Sequence, residues 1–167
     1  MKTTLDFILP MKISVSIFVV SVSLLTAAPG AVPKQTITHE MVLEAIRSFR
    51  ANPVSPNAQT AARLVKEFAE SSPDVMLTIT KKAVPLIDNP EIPISERGPL
   101  TAAFVVGNVR SQLLRGKKTN DSYAGGLQVI ETYRQLQRRN PKLRINEIEK
   151  FIQLEKQGKL AAYLASP

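Results

Sequence analysis

The chain contains no cysteine, no tryptophan and a single histidine, His39. Without cysteine there is no disulfide, no thiolate nucleophile and no soft metal ligand. A lipid-modified cysteine behind a cleavage site is excluded on the same ground. A zinc site would rest on His39 and carboxylates, a donor set zinc seldom uses. A Ser-His-Asp triad would also need His39, and no GxSxG elbow accompanies it. No Ser-x-x-Lys spacing occurs, and no glycine loop has the form that cradles a phosphate. Gly125-Gly126 in "YAGGLQ" lacks both the lysine and the preceding strand. No cofactor or metal is therefore expected, and His39 reads as an ordinary first-turn residue. Three tyrosines and no tryptophan also leave few platforms for stacking sugars or bases.

What is present begins with a short apolar run. In "MKISVSIFVVSVSLLTAAPGA", Lys12 supplies a positive start, Ile13 to Leu25 an apolar core, and Ala27, Ala28, Gly30 and Ala31 the small residues after it. This three-part layout predicts a secretory signal peptide over residues 1–30, cleaved before Ala28 or Ala31. Residues 1–10 would be an extended leader start or lie upstream of a start at Met11. A membrane span needs ~20 apolar residues, more than this core offers, and Pro29-Gly30 breaks a helix soon after it. An uncleaved signal acting as an anchor is the alternative. The expected location is outside the cytoplasm, periplasmic or secreted, with no span left after cleavage.

The remainder, residues 31–167, is long enough for one domain without disulfides. Its apolar residues recur at helical spacing and no strand pattern stands out. Thr38 caps a first helix in which Val42, Ala45, Ile46 and Phe49 share a face. Ser55-Pro56 starts a second, with Ala61, Leu64, Val65 and Phe68 inward. Ser72-Pro73 repeats the device and predicts a third, lined by Met76, Ile79 and Ala83. Gly98-Pro99 opens a fourth, the most apolar, carrying Ala102, Phe104, Val105, Val106, Val109 and Leu113 up to a stop at Gly116. Gly107 inside it invites close approach of another backbone, with Gly125-Gly126 as the expected counterpart. Asn120 or Asp121 caps a fifth helix, with Tyr123, Leu127, Ile130 and Tyr133 inward. Asn146 and Glu149 have capping-box spacing for a sixth, ended by Gly158. "KLAAYLAS" adds a short terminal turn. The prediction is an all-α domain, a compact irregular bundle of about six helices. The alternative is a short α-solenoid of stacked helix hairpins.

Charge is distributed unevenly. Residues 31–96 carry 7 basic and 8 acidic side chains, whereas residues 97–167 carry 13 and 5. Such asymmetry points to an anionic partner or surface. The densest stretch, "RQLQRRNPKLR", holds Arg134, Arg138, Arg139, Lys142 and Arg144. Local helix chemistry accounts for most of it. Basic residues complement the negative end of a helix, Asn140 in a left-handed conformation with Pro141 would end it, and Glu131 and Arg134 pair at i, i+3. These five residues are nevertheless the candidate binding site, joined by Lys117 and Lys118 if the fourth and fifth helices pack antiparallel. An exported chain does not meet cytoplasmic nucleic acid, so none is expected. An acidic protein or an anionic envelope component is the expected partner. The function expected is that of an exported, non-catalytic helical binding or scaffold protein. A small basic cell-wall glycoside hydrolase is the alternative. It would use two of the loop carboxylates Asp88, Glu91 and Glu96 as acid and base or nucleophile.

Overall fold

The computed structural model describes residues 36–79, 82 and 92–165. The predicted signal segment lies outside the described residues, as do Ala83, Asp88 and Glu91. Gln35–Pro167 form one compact unit. The described residues are all-helical as predicted, with six helices: α1 His39–Ala51, α2 Pro56–Ser71, α3 Ile94–Arg115, α4 Ser122–Arg139, α5 Asn146–Lys156 and α6 Leu160–Ala165. None of them is long and apolar enough to cross a membrane.

The first two helices follow their sequence signals. Thr38 Oγ1 accepts the Met41 amide, and Ser55 Oγ accepts the Ala58 amide ahead of Pro56. Both satisfy donors that a helix start leaves open. Val42, Ala45, Ile46 and Phe49 of α1 pack with Ala58, Ala61, Val65 and Phe68 of α2 in one core. The His39 and Phe68 rings stand nearly perpendicular with centroids 5.6 Å apart, which joins the start of α1 to the end of α2 in an antiparallel pair.

The predicted third helix does not form over residues 72–79. Ser72 closes α2, its amide bonding Phe68 O at 2.8 Å, and its hydroxyl accepts the Asp74 amide in a turn. The chain then runs on to residue 79 without regular secondary structure. Val75 points into the core, whereas Met76 and Ile79, assigned to a buried stripe, are exposed. Two distant side chains hold this segment, one from α3 and one from the loop after it. Gln112 accepts the Met76 amide at 2.9 Å and donates to its carbonyl at 2.8 Å. Asn120 Oδ1 accepts the Thr78 amide at 2.9 Å. Backbone groups that a helix would have paired internally are thus satisfied by distant side chains.

The most apolar helix starts earlier than its proline suggested. α3 begins at Ile94, so Gly98-Pro99 lies inside it rather than opening it. Proline removes one amide, and its Cδ crowds the Cβ of the residue before it. Glycine at 98 has no Cβ, so the helix continues through. Leu100, Ala103, Phe104, Val106 and Val109 are fully buried, which makes α3 the central helix. It ends at Gly116, whose φ of 60° allows the Lys117 amide to reach Gln112 O.

α4 returns antiparallel along α3 at short range. A Cβ built on Gly107 would strike the Ala124 carbonyl oxygen and lie 2.7 Å from Gln128 Cβ, and one on Gly125 would lie 2.7 Å from the Phe104 ring. The expected close approach at Gly107 is therefore real and Gly125 shares in it, but Gly126 faces Leu164 of α6 instead. The approach turns α4 so that Leu127, expected inside, is exposed, while Gly125, Gln128, Val129 and Thr132 are buried. α5 begins with Asn146 as its first helical residue. Ile145 occupies the capping position with no side-chain cap, so the predicted Asn146 box does not form. α5 and α6 pack on each other and on α4. The contacts of α1 with α3 and of α6 with α4 close the hairpins into an irregular bundle.

Candidate functional site

The predicted basic residues lie at the C-terminal end of α4 and in the turn after it. Arg134, Arg138 and Arg139 are exposed on α4, and Lys142 and Arg144 are exposed beyond Pro141. The helix stops at Asn140, but not by a left-handed residue: its φ is −126° and ψ 86°. The Asn140 amide still bonds Leu136 O, and its side chain accepts the Lys142 amide at 3.3 Å. A side-chain turn followed by proline ends the helix without the strain of positive φ.

Two of the five basic side chains are engaged by the protein. Arg139 donates to Asn52 Oδ1 at 2.8 Å, and Arg144 donates to the carbonyls of Pro141 and Leu143. Arg134, Arg138 and Lys142 make no side-chain hydrogen bond or ion pair among the described residues. The expected Glu131–Arg134 pair is absent because Glu131 turns to α1. There Arg50 holds its carboxylate through Nη2 at 3.0 and 3.3 Å. Lys117 and Lys118 are not part of the patch. The antiparallel return of α4 puts them beside its N-terminus, ~25 Å along the helix from Arg139.

The patch borders a cleft of about 250 Å³ between the α1–α2 turn and the last turns of α4. Pro53, Val54 and Leu136 give it apolar wall, and Arg138 and Arg139 line it as well. Gln135 donates to the Arg50 carbonyl at 3.0 Å and braces the two elements. Basic charge and apolar surface therefore meet at one edge.

The acids considered for glycosidic chemistry are represented by Glu96 alone, since Asp88 and Glu91 are not described. Glu96 stands in the first turn of α3, where its charge complements the helix start, and accepts a hydrogen bond from Ser95 Oγ. His39 has a partner that its local sequence does not reveal, Asp74 at 2.7 Å, and both side chains are about half exposed. No cluster of three or more His, Cys, Asp or Glu side chains that could hold a metal occurs among the described residues.

Sequence reasoning missed a second basic cluster. Arg50, Arg110 and Arg115 line a groove of about 420 Å³ between α3 and α4, together with Glu131, Leu114 and Leu127. These arginines are scattered through α1 and α3, and neither Arg50 nor Arg110 stands in a charge run. The one pointer was Gly107, because the close approach it permits leaves the next turn of α3 bordering a groove. The chain matches no family model, and no curated protein or solved structure is similar to it.

Proposed function

We propose that the chain is an exported helical binding domain that recognises an acidic protein segment through the basic end of α4. One observation carries this reading. Arg134, Arg138 and Lys142 have no acidic partner among the described residues, and Arg138 borders a cleft with mixed polar and apolar walls. A helix terminus that needs only dipole compensation does not need such a cleft beside it. Charge gives attraction at a distance, and the half-buried Val54 offers an apolar contact that survives salt. Export is supported by the layout of residues 12–31, whose expected product starts near Ala28 or Ala31.

The test is a pull-down from envelope extract with protein recovered from its native host and sequenced at its N-terminus. Wild type is compared with Arg138→Glu/Arg139→Glu at low and high salt. Debye screening shortens from ~10 Å at 0.1 M to ~3 Å at 1 M. The expected outcome is a partner that weakens with salt without vanishing and that the double reversal loses. A partner retained by the double reversal would remove the basic end from the site. A mature chain that keeps Met1 or Met11 and stays in the cytosol would end the export reading.

A further inference from the structure

The α3–α4 groove and the cleft at the end of α4 lie on one face of the same helix. Leu127, Gln128 and Glu131 border the groove, and Gln135, Leu136 and Arg138 border the cleft. Among the lining residues, Ala124, Leu127, Glu131, Gln135 and Arg138 recur at steps of three and four, so they follow one stripe of α4. On the other wall, Arg50 borders the groove and Ala51, the next residue, borders the cleft. The Arg50–Glu131 pair lines the groove, and Gln135, bonded to the Arg50 carbonyl, lines the cleft, so this junction of α1 and α4 stands next to both.

Together they are lined by five arginines and one glutamate. Arg110 has no ion-pair partner among the described residues. Arg115 reaches Asp121 at 3.3 Å but stays 65% exposed. Asp121 is already engaged, since it accepts from Ser111 Oγ and caps α4 through the Ala124 amide. Two further donors on these walls lack an acceptor: Arg50 Nε and Gln128 Nε2, the latter on a side chain 5% exposed. Both nitrogens are closed to water in this conformation, so an acceptor reaches them only with a side-chain rearrangement. The groups an occupant can reach without rearrangement are the cationic side chains of Arg110, Arg115 and Arg138, which select a negatively charged occupant. Leu114 and Leu127 stand exposed on the groove. They offer contact to apolar side chains of that occupant.

We infer that the groove and the cleft form one channel for an extended acidic peptide with interspersed apolar residues, held by Arg110 at one end and Arg138 at the other. This rests on the reading that the α4 end binds an acidic partner, and it extends the contact along the helix. From Ala124 to Arg138 the helix rises ~21 Å. An extended chain covers that in about six or seven residues at ~3.3 Å each. Side chains alternate sides along such a chain, which suits an arginine wall and a leucine ledge. The lining contains no aromatic residue on which a nucleobase would stack.

The test is fluorescence anisotropy with a labelled peptide of about eight residues, alternating glutamate and leucine. Wild type is compared with Arg110→Glu, Arg110→Ala, Arg138→Glu and Leu127→Glu, each first checked for an unchanged melting profile. Arg110→Glu and Arg138→Glu should each weaken the peptide by about fivefold or more. Arg110→Ala should weaken it less and in the same direction. Leu127→Glu should weaken it as well, and a control peptide of the same length that alternates glutamine and leucine should not bind measurably. If Arg138→Glu weakens binding and neither Arg110 variant does, the channel falls while the α4-end site stands. If no variant weakens it, both fall. If an oligothymidylate or phosphatidylglycerol vesicles bind more tightly than the peptide, with the same dependence on Arg110, the occupant is not a peptide.

Discussion

The Tyr133 hydroxyl lies between α4, the turn after it and the first turn of α5. It accepts the Ile145 amide at 3.1 Å and donates to Glu149 at 2.7 Å, with the Leu143 carbonyl at 3.3 Å. The ring is fully buried. Tyr133→Phe keeps the ring and removes the oxygen, so the buried Ile145 amide loses its acceptor. Leaving such a donor unmet costs about 1–3 kcal/mol, which urea denaturation should register. A pH arm separates this from loose packing. Burial, and then the hydrogen bond to Glu149, hold the Tyr133 phenol above its ordinary value of 10.0. Above pH 10 the unfolded chain loses this proton before the folded one does, so stability falls as pH rises towards the folded value. Tyr133→Phe should show a shallower alkaline decline than wild type. An equal slope in both would assign the decline to other groups, of which Tyr123, raised by its hydrogen bond to Glu155, is the first to examine.

At the scale of elements, the α3–α4 pair depends on small residues. Gly107→Ala would gain ~1 kcal/mol of helix propensity. The new methyl meets the Ala124 carbonyl, which is backbone and cannot swing aside. Overpacking of this kind costs about 1–3 kcal/mol, so the net change should be a loss. At Gly126 the nearest atom to an added methyl is the end of the Leu164 side chain, which can change rotamer. Thermal melts should rank Gly126→Ala above Gly107→Ala, and the reverse order would contradict this packing. Gly107 was legible in the sequence because a glycine in an otherwise apolar helix has few other uses. The segment after Ser72 was not. Ser55-Pro56 and Ser72-Pro73 are alike locally, yet only the first opens a helix. The difference lies 35 or more residues away, where His39 holds Asp74 and Gln112 holds both polar groups of Met76. No window of neighbouring residues contains those partners. The helix count of six agrees with expectation, but the terminal α6 stands where the missing third helix was counted. Leu127 was misplaced for a related reason: the glycine contact, rather than the apolar stripe, set the rotation of α4.

At the scale of the whole molecule, the basic run was readable because its members are consecutive. The groove arginines were not, since Arg50 and Arg110 are 60 positions apart and meet only when α1 and α3 both border α4. The middle of the α3 core, Phe104, Val105, Val106 and Val109, was readable because its apolar stripe is wide, whereas Ala102 and Leu113 are only partly buried and the buried Leu100, Ala103, Asn108 and Gln112 were missed. The helix touches α1, α2 and α4. That centrality makes α3 the place where one charge should undo the fold. Val106 has no exposed surface, whereas Ile94, on the same helix, is 85% exposed. An unpaired carboxylate at Val106 is buried at a cost of several kcal/mol, against a total stability of about 5–15 kcal/mol for a domain. Val106→Asp should therefore lose its cooperative unfolding transition in near-neutral buffer. Ile94→Asp places the same charge in the first turn, beside the positive helix end, and should melt as wild type does or slightly higher. Circular dichroism melts of the two variants decide the point. A cooperative, near-normal melt for Val106→Asp would mean that the bundle is not organised around α3, and the α3–α4 channel would lose its rigid wall with it.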